Sequence, residues 1–158
     1  MNKIGIIPAR MSSSRFPGKP MEIINGIPMI GHCFNRAKLC RDLDEVYVAT
    51  CDLEIDKYIK SIGGRSIMTK STHERASDRT SEALIKIEKK LNTKFDIVVL
   101  LQGDEPMTTP EMITASIKPM IVDKNIEVVN LYTKIKSIKE FNNPNEVKVV
   151  VDKNENAI

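Results

Sequence analysis

This sequence has no disulfide framework, no zinc motif and no membrane span. Its cysteines number an odd three, Cys33, Cys40 and Cys51. They form no C-x-x-C pair, and neither histidine stands at a zinc spacing, which argues against both stapling and a structural metal. No apolar run approaches the ~18 residues of a transmembrane helix, and no basic segment followed by an apolar stretch opens the chain. A reducing cytoplasm, away from membranes, is the expected location. Aromatic residues make up only 4% and the net charge is +3, so the rings and basic stripe of a nucleic-acid binder are missing. Two familiar phosphate loops are missing as well. No G-x-G-x-x-G occurs, and Gly18-Lys19 is followed by Pro20 instead of Ser or Thr.

What remains is a pattern of alternating apolar strands and amphipathic helices in 158 residues, enough for one domain with a real core. Continuous β-branched runs predict strands at 3–8, 45–50, 65–68 and 96–101, the last the clearest. Further strands are expected at 128–134 and 147–151. Pro28 is expected to open a helix reaching about Arg41, with Ile30, Phe34 and Ala37 on its apolar stripe. Asp52 reads as the cap of a helix ending near Gly63-Gly64, Asp78 as the cap of a helix over 79–91, and Pro110 as the start of one reaching Val122. The implied fold class is α/β, a mostly parallel sheet with helices on both faces. The whole of 1–158 reads as one domain. The end at Asn154 to Ile158 follows a buried-type strand, so a carboxyl-terminally truncated chain is expected.

Three segments carry chemistry. The first strand runs into Arg10-Met11-Ser12-Ser13-Ser14-Arg15-Phe16-Pro17-Gly18-Lys19-Pro20, a loop of hydroxyls and cations. Arg10 and Arg15 offer planar forks of donors and Lys19 a compact charge, a set suited to a triphosphate; the alternative is a merely solvated basic loop. The strand 96–101 ends in Gln102-Gly103-Asp104-Glu105-Pro106. A carboxylate at such a tip can hold Mg²⁺, or these acids simply begin a turn before Pro106. The third segment, Ser71 to Arg79, either contacts a base or ribose or only caps a helix. His32 reads as structural, and no serine or cysteine has a credible His–acid pair for nucleophilic catalysis.

Together, Ile6 to Pro20, Asn25-Gly26-x-Pro28-Met29-Ile30-x-His32, Gln102 to Pro106 and Asn143-Pro144-Asn145-x-Val147-Lys148-Val149-Val150 resemble one family. It is that of the 3-deoxy-manno-octulosonate (Kdo) cytidylyltransferases, the CMP-Kdo synthetases. The resemblance implies a nucleotide-diphospho-sugar transferase fold, of which this chain would be the amino-terminal CTP-binding part. It implies transfer of CMP from CTP to Kdo with release of pyrophosphate, for lipopolysaccharide or a related surface polysaccharide. By the same resemblance Arg10, Arg15 and Lys19 hold the triphosphate, Ala9 and Ser13 line the nucleotide, Arg79 closes its pocket, Gln102 touches substrate and Asp104 ligates Mg²⁺. Lys19, Arg15 and Asp104 would then be the catalytic set, in a homodimer. Alternatives are a cytidylyltransferase for 8-amino-Kdo or a sialic-acid-like sugar, or a non-catalytic nucleotide-binding remnant. The chain departs from the family pattern at Ala76, where glycine is usual, at the added charge of Arg75 and at Phe16, where leucine is usual.

Overall fold

The computed structural model describes residues 1–12 and 16–158. Its centre is β1 (Lys3–Ala9), flanked by β4 (Glu45–Thr50) and β6 (Ile97–Leu100), with β5 (Ser66–Met68) outside β4. Every pairing in this four-stranded sheet is parallel, in the order β5-β4-β1-β6. Each parallel step requires a crossover, and helices supply them: α1 (Met29–Lys38), α2 (Leu53–Ser61) and α3 (Ala76–Leu91). A two-stranded hairpin of β2 (Ile23–Ile24) and β3 (Ile27–Pro28) precedes α1, and α4 (Pro110–Val122) follows β6.

The continuous apolar runs follow from burial on both faces. In β1, Ile4 and Ile6 face α3, where they pack with Tyr47, Ala49, Ala83 and Ile87. Ile7 and Ala9 face the opposite layer, built by Ile30, Phe34 and Ala37 of α1, Ile55 and Ile59 of α2, and Ile113 and Ile117 of α4. Each such large side chain contributes about 1.5–3 kcal/mol on leaving water. The apolar stripe expected for α1, Ile30, Phe34 and Ala37, is therefore the buried one.

Several expectations need correction. The helix α3 begins at Ala76 with Arg75 at the cap position, so Asp78 lies inside the first turn, where its charge suits the helix dipole. Asp52 does precede α2, but its carboxylate makes no cap hydrogen bond; it accepts from the Met11 N–H at 2.9 Å. The strands expected at 128–134 and 147–151 do not form. Among the described residues these segments have no ladder partner beyond one isolated bridge from Val151 to Ala157, and an apolar run without a neighbouring strand has nothing to pair with. A short α5 (Ile138–Asn142) lies between them, with no buried residue.

Candidate nucleotide site

Order in the sheet reverses beside β1. The chain steps outward through β4 and β5, then returns to place β6 on the other edge of β1. Ligands of open α/β sheets bind at the carboxyl ends of strands near such reversals. A pocket lies there, at the tips of β1 and β6, closed on a third side by the start of α3.

Ala9 and Arg10 enter this pocket directly from β1. The path onward is pinned at both ends. The Asp52 carboxylate holds the Met11 N–H, and the Gly18 N–H donates to the Met11 carbonyl at 2.9 Å. Gly18 adopts φ 79°, a left-handed conformation that glycine takes without strain, and delivers the chain into the 3-10 turn Lys19–Met21. Lys19 thus faces the tip of β6. Its Nζ lies 2.8 Å from Asp104 Oδ2, a contact between residues 85 apart in sequence.

Gly103 makes the approach of β6 possible. A Cβ there would stand 2.8 Å from the Pro8 carbonyl oxygen, so any side chain would push the two strand tips apart. Gln102 and Asp104 flank it, and both line the pocket. Behind this corner Cys33 of α1 interacts with the Glu105 backbone amide; burial pushes its thiol up to about 11, with the Asp104 and Glu105 charges adding to the rise. A thiol so protonated is no nucleophile. Cys40 is buried, and His32 takes a structural place. His32 Nε2 donates to the Ile24 carbonyl at 2.8 Å and fastens the hairpin to α1.

Arg79 forms the buried wall. It is 2% exposed, and its Nη1 donates to Thr69 Oγ1 at 2.5 Å and to the Lys70 carbonyl at 3.3 Å. Its Nη2 has no partner among the described residues. An unsatisfied buried guanidinium nitrogen is costly, and Arg79 is among the residues that line the pocket. Ahead of it in sequence, Arg10 Nη1 donates to the His73 carbonyl at 3.2 Å. His73 Nε2 in turn is paired closely with the Glu82 carboxylate.

The pocket thus brings together Ala9, Arg10, Lys19, Arg79, Gln102 and Asp104. Ser13 and Arg15, also expected at the site, lie outside the described residues. Glu74, Arg75 and Ala76 line the same pocket, so the family departures at Arg75 and Ala76 face the candidate ligand. Sequence reasoning passed over Glu82 and Thr69. Glu82 reads as half of an ordinary i,i+4 pair with Lys86 on a solvated helix face, and a lone threonine after a strand carries no signal.

Comparison with known proteins agrees with this geometry. The cytidylyltransferase family matches residues 4–158. A 3-deoxy-manno-octulosonate cytidylyltransferase of Geobacter metallireducens is 40% identical over 158 residues, covering 100% of this chain and 60% of the relative. An 8-amino-3,8-dideoxy-manno-octulosonate cytidylyltransferase of Shewanella pealeana is 39% identical, again over 100% of this chain and 64% of its own length. A solved CMP:2-keto-3-deoxy-manno-octonic acid synthetase complexed with CTP superposes with a TM-score of 0.84 at 35% identity, covering 100% of this chain and 63% of that one. The chain spans about 60% of the length of the first curated relatives it matches. By the match over residues 4–158, the chain belongs to the cytidylyltransferase family.

Proposed function

We propose that the pocket binds CTP and that the protein transfers its cytidylyl group to 3-deoxy-manno-octulosonate, releasing pyrophosphate. One observation carries this reading: Lys19 and Asp104 meet at the mouth of a pocket that also contains Arg10 and the half-satisfied Arg79. A cation for phosphate and a carboxylate for metal are thereby placed side by side. Residues 1–158 are, on this reading, the CTP-binding part of a nucleotidyltransferase domain.

In the reaction the anomeric hydroxyl of the sugar attacks the α-phosphorus, and the bond to pyrophosphate breaks as the new O–P bond forms. Such a step depends on alignment and on neutralising the departing charge. Arg10 and Lys19 supply fixed positive charge for the β- and γ-phosphates, and we assign Arg15 to the same task. Arg79, with its free Nη2, would donate to an oxygen of the nucleotide, while Ala9 and Ser13 line it and Gln102 contacts substrate. Among the described residues no three potential metal ligands converge, so nothing here is a cage for a metal alone. The donor set does fit Mg²⁺, which takes one or two carboxylates and completes its shell with phosphate oxygens and water. Asp104 would hold it, and when bound it would polarise the α-phosphate.

The test is pyrophosphate release by the complete gene product with CTP, Mg²⁺ and Kdo. Activity with CTP but not UTP is expected; equal rates with UTP sink the assignment. A preference for 8-amino-Kdo would favour the second reading, which the Shewanella pealeana relative supports by its name. CTP binding without turnover would favour a non-catalytic remnant. The resemblance implies a homodimer and a role in lipopolysaccharide synthesis, and the cysteine content implies a cytoplasmic location; sedimentation tests the dimer. No helix among the described residues is long and apolar enough to cross a membrane.

A further inference from the structure

We propose that Glu82, which does not line the pocket, is a positioning residue that sets Arg10 for the triphosphate through the His73 segment. The carboxylate of Glu82, on the second turn of α3, holds three groups at once. Its Oε2 accepts from the Lys70 backbone N–H at 3.0 Å and is paired closely with His73 Nε2, and its Oε1 lies 2.7 Å from Lys86 Nζ. Lys86 also donates to the Met68 carbonyl at 2.8 Å, so the end of β5 and the start of the following loop are fastened to one helix face. Both the His73 and Glu82 side chains are mostly shielded from water, at 20% and 16% exposure.

The consequence lies one contact further on. Pinned by its ring, His73 presents its backbone carbonyl to Arg10 Nη1 at 3.2 Å, the hydrogen bond that fixes this guanidinium. A guanidinium binds phosphate well only when its fork is aimed, and an arginine left free must lose its rotamer freedom on binding. Arg79 is held on the same stretch, through Thr69 and the Lys70 carbonyl, so the Glu82 contact with Lys70 also borders another arginine of the pocket.

This proposal rests on the reading that Arg10 touches CTP phosphates, and a double-mutant cycle separates the two ideas. CTP and cytidine binding are measured by calorimetry in the complete protein, in Glu82→Ala, Arg10→Ala and the double variant, with thermal unfolding followed in parallel. The expected result is about a tenfold loss of CTP affinity in Glu82→Ala, shrinking to less than about twofold in the Arg10→Ala background. Cytidine, which has no phosphates, should bind both Glu82 forms alike, whereas a general loosening of the loop would weaken cytidine too. An equal loss in both backgrounds, or an equal loss for cytidine, overturns the proposal. If Arg10→Ala binds CTP like the parent, the phosphate reading falls and this proposal with it; if Arg10→Ala weakens CTP while Glu82→Ala does not, only the proposal falls. Should Glu82→Ala unfold, Glu82→Gln keeps an acceptor for Lys70, loses the charge, and carries the same comparison.

Discussion

Asp104 and Gly103 are adjacent, yet substitution should separate their contributions. The Lys19–Asp104 pair is half-exposed, and ion pairs of that kind are worth about 0–1 kcal/mol. Asp104→Asn should therefore leave the melting temperature nearly unchanged while lowering CTP turnover roughly hundredfold or more, since the carboxylate proposed to hold Mg²⁺ is lost. A calorimetric scan beside a pyrophosphate assay checks both halves. Gly103→Ala should do the reverse at the level of folding. Its new Cβ would meet the Pro8 carbonyl oxygen, part of the central strand, and overpacking of this type costs about 1–3 kcal/mol, readable by urea unfolding. A Gly103→Ala protein as stable as the parent would mean that the strand tips can part freely.

Among the elements, those buried on two sides were legible and those lacking neighbours were not. The β1, β4 and β6 runs and the stripes of α1 and α3 show in the sequence because burial demands apolar residues at set intervals. The strands expected at 128–134 and 147–151 carry the same residue types, but pairing is a property of two segments and one segment cannot reveal it. Of the candidate site, Arg10, Lys19 and the Gln102–Asp104 corner were legible because their types are chemically pointed. The supports, Asp52, Thr69 and Glu82, were not, since each is an ordinary polar residue until the fold gives it a partner. Glu82 and a second carboxylate, Asp56 of α2, make an acid-sensitive seam along β5. Burial would raise the Glu82 carboxyl, yet hydrogen bonds from Lys86, the Lys70 N–H and His73 outweigh it and bring it from 4.5 down to about 2. Burial opposes Asp56 likewise, and hydrogen bonds from Lys60 at 2.8 Å and Ser66 at 2.7 Å still hold it below its ordinary value. Both groups titrate lower folded than unfolded, so their stabilisation is complete above the ordinary carboxylate range and fades as pH falls toward the folded values. Urea unfolding at neutral and acid pH should show that loss, and Asp56→Asn with Glu82→Gln should flatten it.

On the scale of the whole molecule, the packed part ends near Val122. Beyond it Val128, Leu131, Tyr132, Val147, Val149 and Val150 are all about half or more exposed, and none joins either core cluster. Backbone without buried contacts opens at little cost. Limited proteolysis of the 158-residue chain should therefore cut within 123–158 first and leave the earlier residues as a resistant fragment; early cleavage inside β1, β4 or α3 would contradict the layering described above.

The central place of β1 also bears on how the protein comes off the ribosome. The earliest strand of this sheet is the one that needs neighbours on both edges, and those neighbours are β4 and β6. At roughly 5–20 residues per second, several seconds pass between the emergence of Lys3–Ala9 and that of Ile97–Leu100. Through that interval an isoleucine-rich segment waits with open hydrogen-bonding edges, a template for mispairing between nascent chains. Pairing with β4, which is made earlier than β6, closes one of the two edges during that wait.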